Sequence, residues 1–251
     1  MSSEVETSLD ISELSHGQTT VRDSSASVGM TSKLLASLSV IRDIDSRSAA
    51  LNMAIDEALL ESANVPTLRF YRWDHAALSF GYFGKFEDVA NEDRDIVRRW
   101  TGGGVVLHGE DLTYSIVIPA NDPAFLQSSM SIYEKTHAAI REALAENGEN
   151  YELATSAGPK ISESCFANPV RADVLLNGRK IAGAAQRRTR RGLLQQGSIQ
   201  IMDAGGDDFE LRFASELSNR RTLQNLSDAI LDRALKIAQQ KYATDAWLRR
   251  H

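Results

Sequence analysis

The sequence predicts an α+β domain, on three observations. Strand-like and helical segments mix without a regular β-α-β alternation, three successive strands near the C-terminal third read as a meander, and three long segments carry helical apolar spacing. The missing alternation argues against a doubly wound nucleotide fold. With 251 residues, 42% of them hydrophobic, the chain supports one substantial core, and no internal repeat is visible.

Residues 1–33 read as a disordered extension. They carry Glu4, Glu6, Asp10, Glu13 and Asp23 among many Ser and Thr, with no sustained apolar period, and Met30 offers a second start. The first helix is expected over Ser48 to Ala63, where Leu51, Ile55, Ala58, Leu59 and Ser62 recur at helical spacing and Pro66 closes the segment. Leu68 to Trp73 and Ala77 to Gly81 read as two strands, and Asp74-His75-Ala76 between them suggests a hairpin.

Three glycines, Gly102-Gly103-Gly104, then interrupt a strand-like run from Ile96 to His108. Gly109-Glu110-Asp111 turns the chain into a strand with Leu112, Tyr114, Ile116 and Ile118 on one side and Thr113, Ser115 and Val117 on the other; pairing across this turn is expected. Ser131 to Asn147 is an amphipathic helix, with Ser131 and Glu134 as a capping box and Asn147-Gly148 as its stop. The meander runs Ala172 to Leu176, an Asn177-Gly178 turn of type I′, Lys180 to Gln186, a basic turn, and Leu193 to Met202. Leu226, Ile230, Ala234, Leu235, Ala238 and Tyr242 make one stripe, so Asn225 to Leu248 reads as a closing helix.

Composition narrows the function. A net charge of −6 argues against a generally nucleic-acid-binding surface, although Arg187, Arg188, Arg190 and Arg191 form a local basic patch: either a solvated turn or a docking patch for an acidic partner. No apolar run reaches the roughly 18 residues that span a bilayer, and the N-terminus lacks a basic segment followed by an apolar one. Cys165 is the single cysteine, which excludes an internal disulfide and a cysteine-rich zinc site and suits a reducing, cytoplasmic setting. None of the histidines suggests a metal ligand set. His137, inside the amphipathic helix, reads as a satisfied histidine.

Cys165 and Lys180 carry the chemistry. A thiol has an ordinary pKa of about 8.5, and an adjacent ammonium lowers it toward neutrality, making a nucleophile suited to thioesters. The alternative is a small buried hydrophobe. The glycine run lacks the spacing of a P-loop or of G-x-G-x-x-G, so it does not compel nucleotide binding. It does permit close backbone approach to a ligand. His108 beside it either lines a substrate or holds the turn.

Five segments together resemble the catalytic domain shared by lipoate-protein ligases, octanoyltransferases and biotin ligases. They are Asn52 to Leu59, Pro66 to Tyr71, Leu78 to Phe83, Arg98 to His108 and Gly178 to Gly183, in the family's order. Cys165-Phe166 ahead of Asn177-Gly178-Arg179-Lys180 is similar to the Gram-positive type of octanoyltransferase. The resemblance implies a central mixed, mostly antiparallel sheet flanked by helices, with residues 34–251 forming one catalytic domain.

It also implies an octanoyl transfer from acyl carrier protein to the lysine of a lipoyl domain, through a thioester on Cys165, with no cofactor. Lys180 would stabilise the thiolate and bind the acyl carbonyl. Arg99, Thr101, Gly102, Gly103, Gly104, His108 and Gly183 would hold substrate, with the amides of Gly197 and Ser198 as oxyanion donors and Asp173 orienting Lys180 or contacting an adenylate. Three other readings remain. One is an ATP- and Mg-dependent lipoate ligase working through an acyl-adenylate, toward which Gly104 points, since the similar transferases often carry arginine there. The others are an amidotransferase drawing on the glycine cleavage H protein and a non-catalytic carrier-binding module.

Overall fold

The computed structural model describes residues 33–145, 148–158, 166, 168–200 and 207–250. Among these residues the centre is an eight-stranded sheet. Its strands are β1 (Leu38–Arg42), β2 (Thr67–Tyr71), β6 (Leu112–Pro119), β7 (Tyr151–Leu153), β8 (Val174–Leu176), β9 (Arg179–Arg188), β10 (Gly192–Ile199) and β11 (Arg221–Gln224), in the order β11-β1-β2-β6-β10-β9-β8-β7. β1 runs parallel to β11 and β2, and the other pairs are antiparallel, so the sheet is mixed and mostly antiparallel. A second sheet holds β3 (Ala77–Phe80) between β4 (Asp95–Arg98), parallel, and β5 (Val106–His108), antiparallel.

Both faces of the large sheet are covered, which follows from alternation along its central strands. Leu68, Phe70, Tyr114, Ile116, Ile118 and Leu193 pack with α2 (Ser129–Ala145) and α3 (Asp207–Leu217). Tyr71, Val117 and Leu194 pack with α1 (Ala49–Ser62) and α4 (Asp228–Ile237) on the other face. The two-sided reading of β6 is therefore observed. All eight of its residues are buried, as are all eight of β10. Asn177 and Gly178 take φ of 50° and 76° between β8 and β9, the double positive φ of a type I′ turn. Among the described residues, no helix is long and apolar enough to cross a membrane.

Four expectations are corrected. β2 and β3 are not a hairpin: β2 is taken by β1 and β6, and β3 leaves for the small sheet. For the same reason β5 and β6 do not pair across their turn. α2 begins at Ser129, and Ser128 rather than Ser131 is the capping hydroxyl, accepting from the Ser131 amide at 3.1 Å; a serine-rich entry offered several candidates. The closing helix is broken: α4 widens into a π-type turn over Ala238–Tyr242, and Thr244 caps a short α5 (Asp245–Leu248). α3 and the exposed edge strand β11 were not anticipated.

Candidate active site

The glycine run leaves β4 as a loop braced from beneath. Arg99 is buried; its Nη1 donates to the carbonyl of Ser79 (2.8 Å) and to Ser79 Oγ (2.6 Å), and its Nη2 donates to the carbonyls of Gly102 (3.1 Å) and Gly104 (2.8 Å). Gly81 meets the loop backbone to backbone: a Cβ there would lie 2.0 Å from the Gly103 oxygen, so only glycine permits that approach. Gly103 itself takes a φ of 86°. Thr101 is fully buried and donates to Gln196 Oε1 (2.8 Å), and Gln196 Nε2 donates to Asp56 (2.8 Å) on α1. The loop is thus tied both to the small sheet and to the helix behind the large one.

His108, at the end of β5, is 5% exposed and stacks on Trp73 with ring centroids 4.0 Å apart. Its Nδ1 lies 2.9 Å from Asp111 Oδ2 and its Nε2 lies 2.6 Å from Ser79 Oγ. Burial pushes Asp111 up, but the bonds from His108, Ser198 and Thr113 outweigh it and hold the carboxyl below its ordinary range. An ionised Asp111 only accepts, so Nδ1 carries the hydrogen and Nε2 accepts from Ser79. Burial lowers the His108 pKa against the pull of Asp111, keeping the ring neutral.

Lys180 projects from β9 and is 7% exposed. Its Nζ lies 2.8 Å from Asp173 Oδ2, and Asp173 is fully buried. The carboxylate also accepts from the Tyr133 hydroxyl at 2.5 Å and from the Val170 amide at 2.6 Å. Burial, and then Asp173, raise the Tyr133 pKa far above its ordinary value, so Tyr133 remains a donor. Gly183 makes room for the lysine: a Cβ there would sit 2.4 Å from Lys180 Cε.

These groups line a narrow pocket that opens to solvent. Met53, Tyr71, Trp73, Val106, Phe166 and Ala184 supply apolar wall, and Ser79, Arg99, His108, Lys180, Gln196 and Ser198 supply polar atoms. Such a lining suits an acyl chain with a reactive polar end. A second, wider cavity shares Gly103, Lys180 and Ala184 with the first and runs past Gly104 and the exposed Phe83. Phe166, the residue after Cys165, lines the first pocket with its ring centroid 5.4 Å from Lys180 Nζ. Cys165 lies outside the described residues.

Of the expected substrate residues, Arg99, Gly103, His108, Gly183, Gly197 and Ser198 line the pocket together with Lys180. Gly104 lines the adjoining cavity; Asp173 and Thr101 stand behind the walls as supports; and Gly102 gives its carbonyl to Arg99. One role is corrected. Gly197 and Ser198 sit on β10 between β6 and β9, so their amides belong to the sheet ladders and do not face a substrate; the Ser198 hydroxyl donates to Asp111 at 2.6 Å. The sequence reading missed Ser79, Asp111, Tyr133 and Gln196. Asp111 had a local signal three residues after His108, whereas Tyr133 reaches Asp173 across 40 positions with none. Among the described residues, no group of three or more His, Cys, Asp or Glu is placed to hold a metal ion.

Solved structures share this architecture. One is titled a putative lipoate protein ligase from T. acidophilum with bound lipoic acid, at TM-score 0.68 and 20% identity over 86% of this chain and 98% of that one. Another, lipoate-protein ligase A bound with ATP, superposes at TM-score 0.66 and 20% identity, covering 86% and 98%. The fold is therefore that of the lipoate protein ligase catalytic domain. More particularly, residues 48–228 match the family model for the lipoyl protein ligase A/B catalytic domain, and the chain belongs to that family. Relatives include Octanoyltransferase LipM of Brevibacillus brevis, 34% identical over 77% of this chain and 75% of that protein. LipM of Clostridioides difficile is 35% identical over 78% and 73%.

Proposed function

We propose that this chain transfers an octanoyl group from acyl carrier protein to the lysine of a lipoyl domain in protein lipoylation, through a thioester on Cys165. Octanoyl transfer is the activity named for its relatives at about a third identity, which makes the chain an acyltransferase. The observation that carries the cysteine route is the buried ammonium of Lys180, at the wall shared by two cavities and facing the ring of Phe166.

In the first half-reaction the Cys165 thiolate attacks the carbonyl carbon of the carrier thioester. A new carbon–sulfur bond forms, the old one breaks, and the carrier thiolate leaves and takes up a proton. In the second, the neutral amine of the lipoyl-domain lysine attacks the enzyme thioester, an amide forms, and the Cys165 sulfur departs. An ammonium has three donors. Asp173 takes one and so fixes the direction of Lys180, while the thiolate and the developing oxyanion use the others. With the β10 amides committed to the sheet, the glycine loop is the place for a second oxyanion donor. Arg99 fixes that loop through the carbonyls of Gly102 and Gly104, and Gly103 borders both cavities.

The apolar wall takes the acyl chain, no nucleotide enters the cycle, and a reducing cytoplasm keeps the single thiol free. Incubation with octanoyl-carrier protein, without ATP, followed by intact-protein mass spectrometry, tests the reading. The expected result is a gain of one octanoyl group that Cys165→Ala abolishes. An adduct persisting on that variant, or pyrophosphate release from ATP and free octanoate, overturns it.

A further inference from the structure

Strand β9 carries its basic end past the pocket. Ala184 and Ala185 line the cavity, and two residues on, the Arg187 guanidinium lies over Trp100 at 4.7 Å and over Tyr82 at 4.8 Å. From the C-terminal segment, Arg250 covers Tyr82 at 4.4 Å and Trp247 at 5.0 Å. Lys241 Nζ covers Trp100 at 4.3 Å and Trp247 at 4.4 Å. Arg98 lies behind them, its Nη2 donating to the Arg250 carbonyl at 2.8 Å.

Three cations thus lie over three aromatic rings, with a fourth behind them. Three carboxylates oppose them: Glu57, paired with Lys241 at 2.6 Å, Glu61, which acts on Lys241 and lies 3.8 Å from Arg191, and Glu87, which acts on Arg98. The crowding is felt: burial first, and then Arg187 and Arg250, lower the Lys241 pKa despite Glu57. Arg187 Nε is buried with no hydrogen-bond partner among the described residues. Arg190 and Arg191 extend the same end of the strand into an exposed turn.

This positive face stands on a chain whose net charge is −6. It also abuts the site, because Trp100 and Tyr82 flank the glycine loop: the Tyr82 amide donates to the Thr101 carbonyl at 2.8 Å. Tyr82 meets Phe83 at 5.0 Å, and Phe83 is exposed on the rim of the wider cavity. An acidic protein is repelled by most of this molecule and attracted where its load must enter. Arginines held on aromatic faces are ordered before binding, which lowers the cost of engaging a carboxylate.

We propose that the face formed by Arg187, Lys241 and Arg250 docks the acidic surface of the protein domain that delivers the acyl group. The inference rests on the transferase reading for the identity of its cargo.

Two measurements test it on the full chain. Binding of the unacylated acyl carrier protein, followed by fluorescence anisotropy between about 50 and 500 mM NaCl, needs no chemistry. Its affinity falls with salt in the native chain, and Arg187→Glu with Arg250→Glu weakens it about tenfold or more at low salt. Equal affinities overturn the docking face even if acyl transfer is confirmed.

Initial rates of acyl loading are compared for the carrier thioester and for the octanoyl thioester of N-acetylcysteamine, a neutral small donor. The double variant raises KM for the carrier about tenfold while turnover of the small donor stays within about twofold. Parallel losses with both donors point to a damaged pocket and overturn the proposal. Arg191→Glu, on the exposed turn, shifts the carrier KM in the same direction by about twofold to fivefold.

Discussion

Two buried cations share the large sheet and differ in what surrounds them. Arg69 on β2 is fully buried under α1, and each of its five N–H donors has a partner: Asp43 accepts from Nε and Nη2, Asn52 Oδ1 from Nη2, the Asn52 carbonyl and Asp56 from Nη1. Lys180 on β9 is nearly as buried and has its own carboxylate, yet it borders both cavities. Burial with a counter-ion therefore does not separate structure from function; adjacency to open space does. Arg69 is enclosed by its partners and holds α1 to the sheet. Lys180 is held from one side only.

Substitutions sharpen that contrast, and the largest effect belongs to the enclosed cation. Arg69→Ala leaves Asp56 buried without its arginine and Asp43 with Arg47 alone, and costs about 3–5 kcal/mol of stability, read by denaturant unfolding; a loss below about 1 kcal/mol would erase the distinction. Lys180→Met, by contrast, slows acyl loading about a hundredfold or more, while the unfolding midpoint moves less than for Arg69→Ala because Asp173 keeps the Tyr133 hydroxyl and the Val170 amide as donors. A variant that unfolds yet keeps the native rate per folded molecule would break the comparison. Gly183→Ala tests geometry alone: the added methyl displaces the lysine side chain, and loading falls about tenfold with the charge unchanged. Lys180→Arg should not rescue it.

A last effect, absent at neutral pH, is read against acid. His137 is fully buried beside Tyr133, with Nδ1 on the Ala172 carbonyl at 2.8 Å, and burial lowers its pKa to about 4. An unfolded histidine titrates near 6.5, so below that pH the unfolded chain takes a proton that the folded chain refuses. Stability is present in full above about 6.5 and declines toward pH 4 at up to about 1.4 kcal/mol per unit, or about 3 kcal/mol in all. His137→Gln flattens that slope in unfolding curves between these pH values; an unchanged slope would assign the acid sensitivity elsewhere.

What the sequence disclosed follows from the range over which each signal acts. The Asn177-Gly178 turn, the two-sided pattern of β6 and the α1 stripe are local, and all were legible. Strand partners are not local: β2 finds β6 more than 40 positions away, so the default of pairing neighbours placed it wrongly with β3. β11 has four exposed residues and no alternation, and pairing with β1 alone makes it a strand. α3 did carry a pattern in Phe209, Phe213, Ala214 and Leu217, which was overlooked. At the site, residue types with unusual company were readable: the glycines, His108 and Lys180. Their supports, Ser79, Gln196 and Tyr133, are ordinary residues whose roles arise only when distant segments meet.

The bonds that run from Arg99 through Ser79 and His108 to Asp111 all point one way. Each member gives a hydrogen to the next, and the last is an anion that also takes hydrogens from Thr113 and Ser198. Three residue types famed for generating nucleophiles are here wired in a direction that keeps the imidazole's basic lone pair occupied. The histidine is consequently a fixed wall rather than a proton acceptor, and whatever strips the incoming amine of its proton must come from another part of the molecule or from solvent.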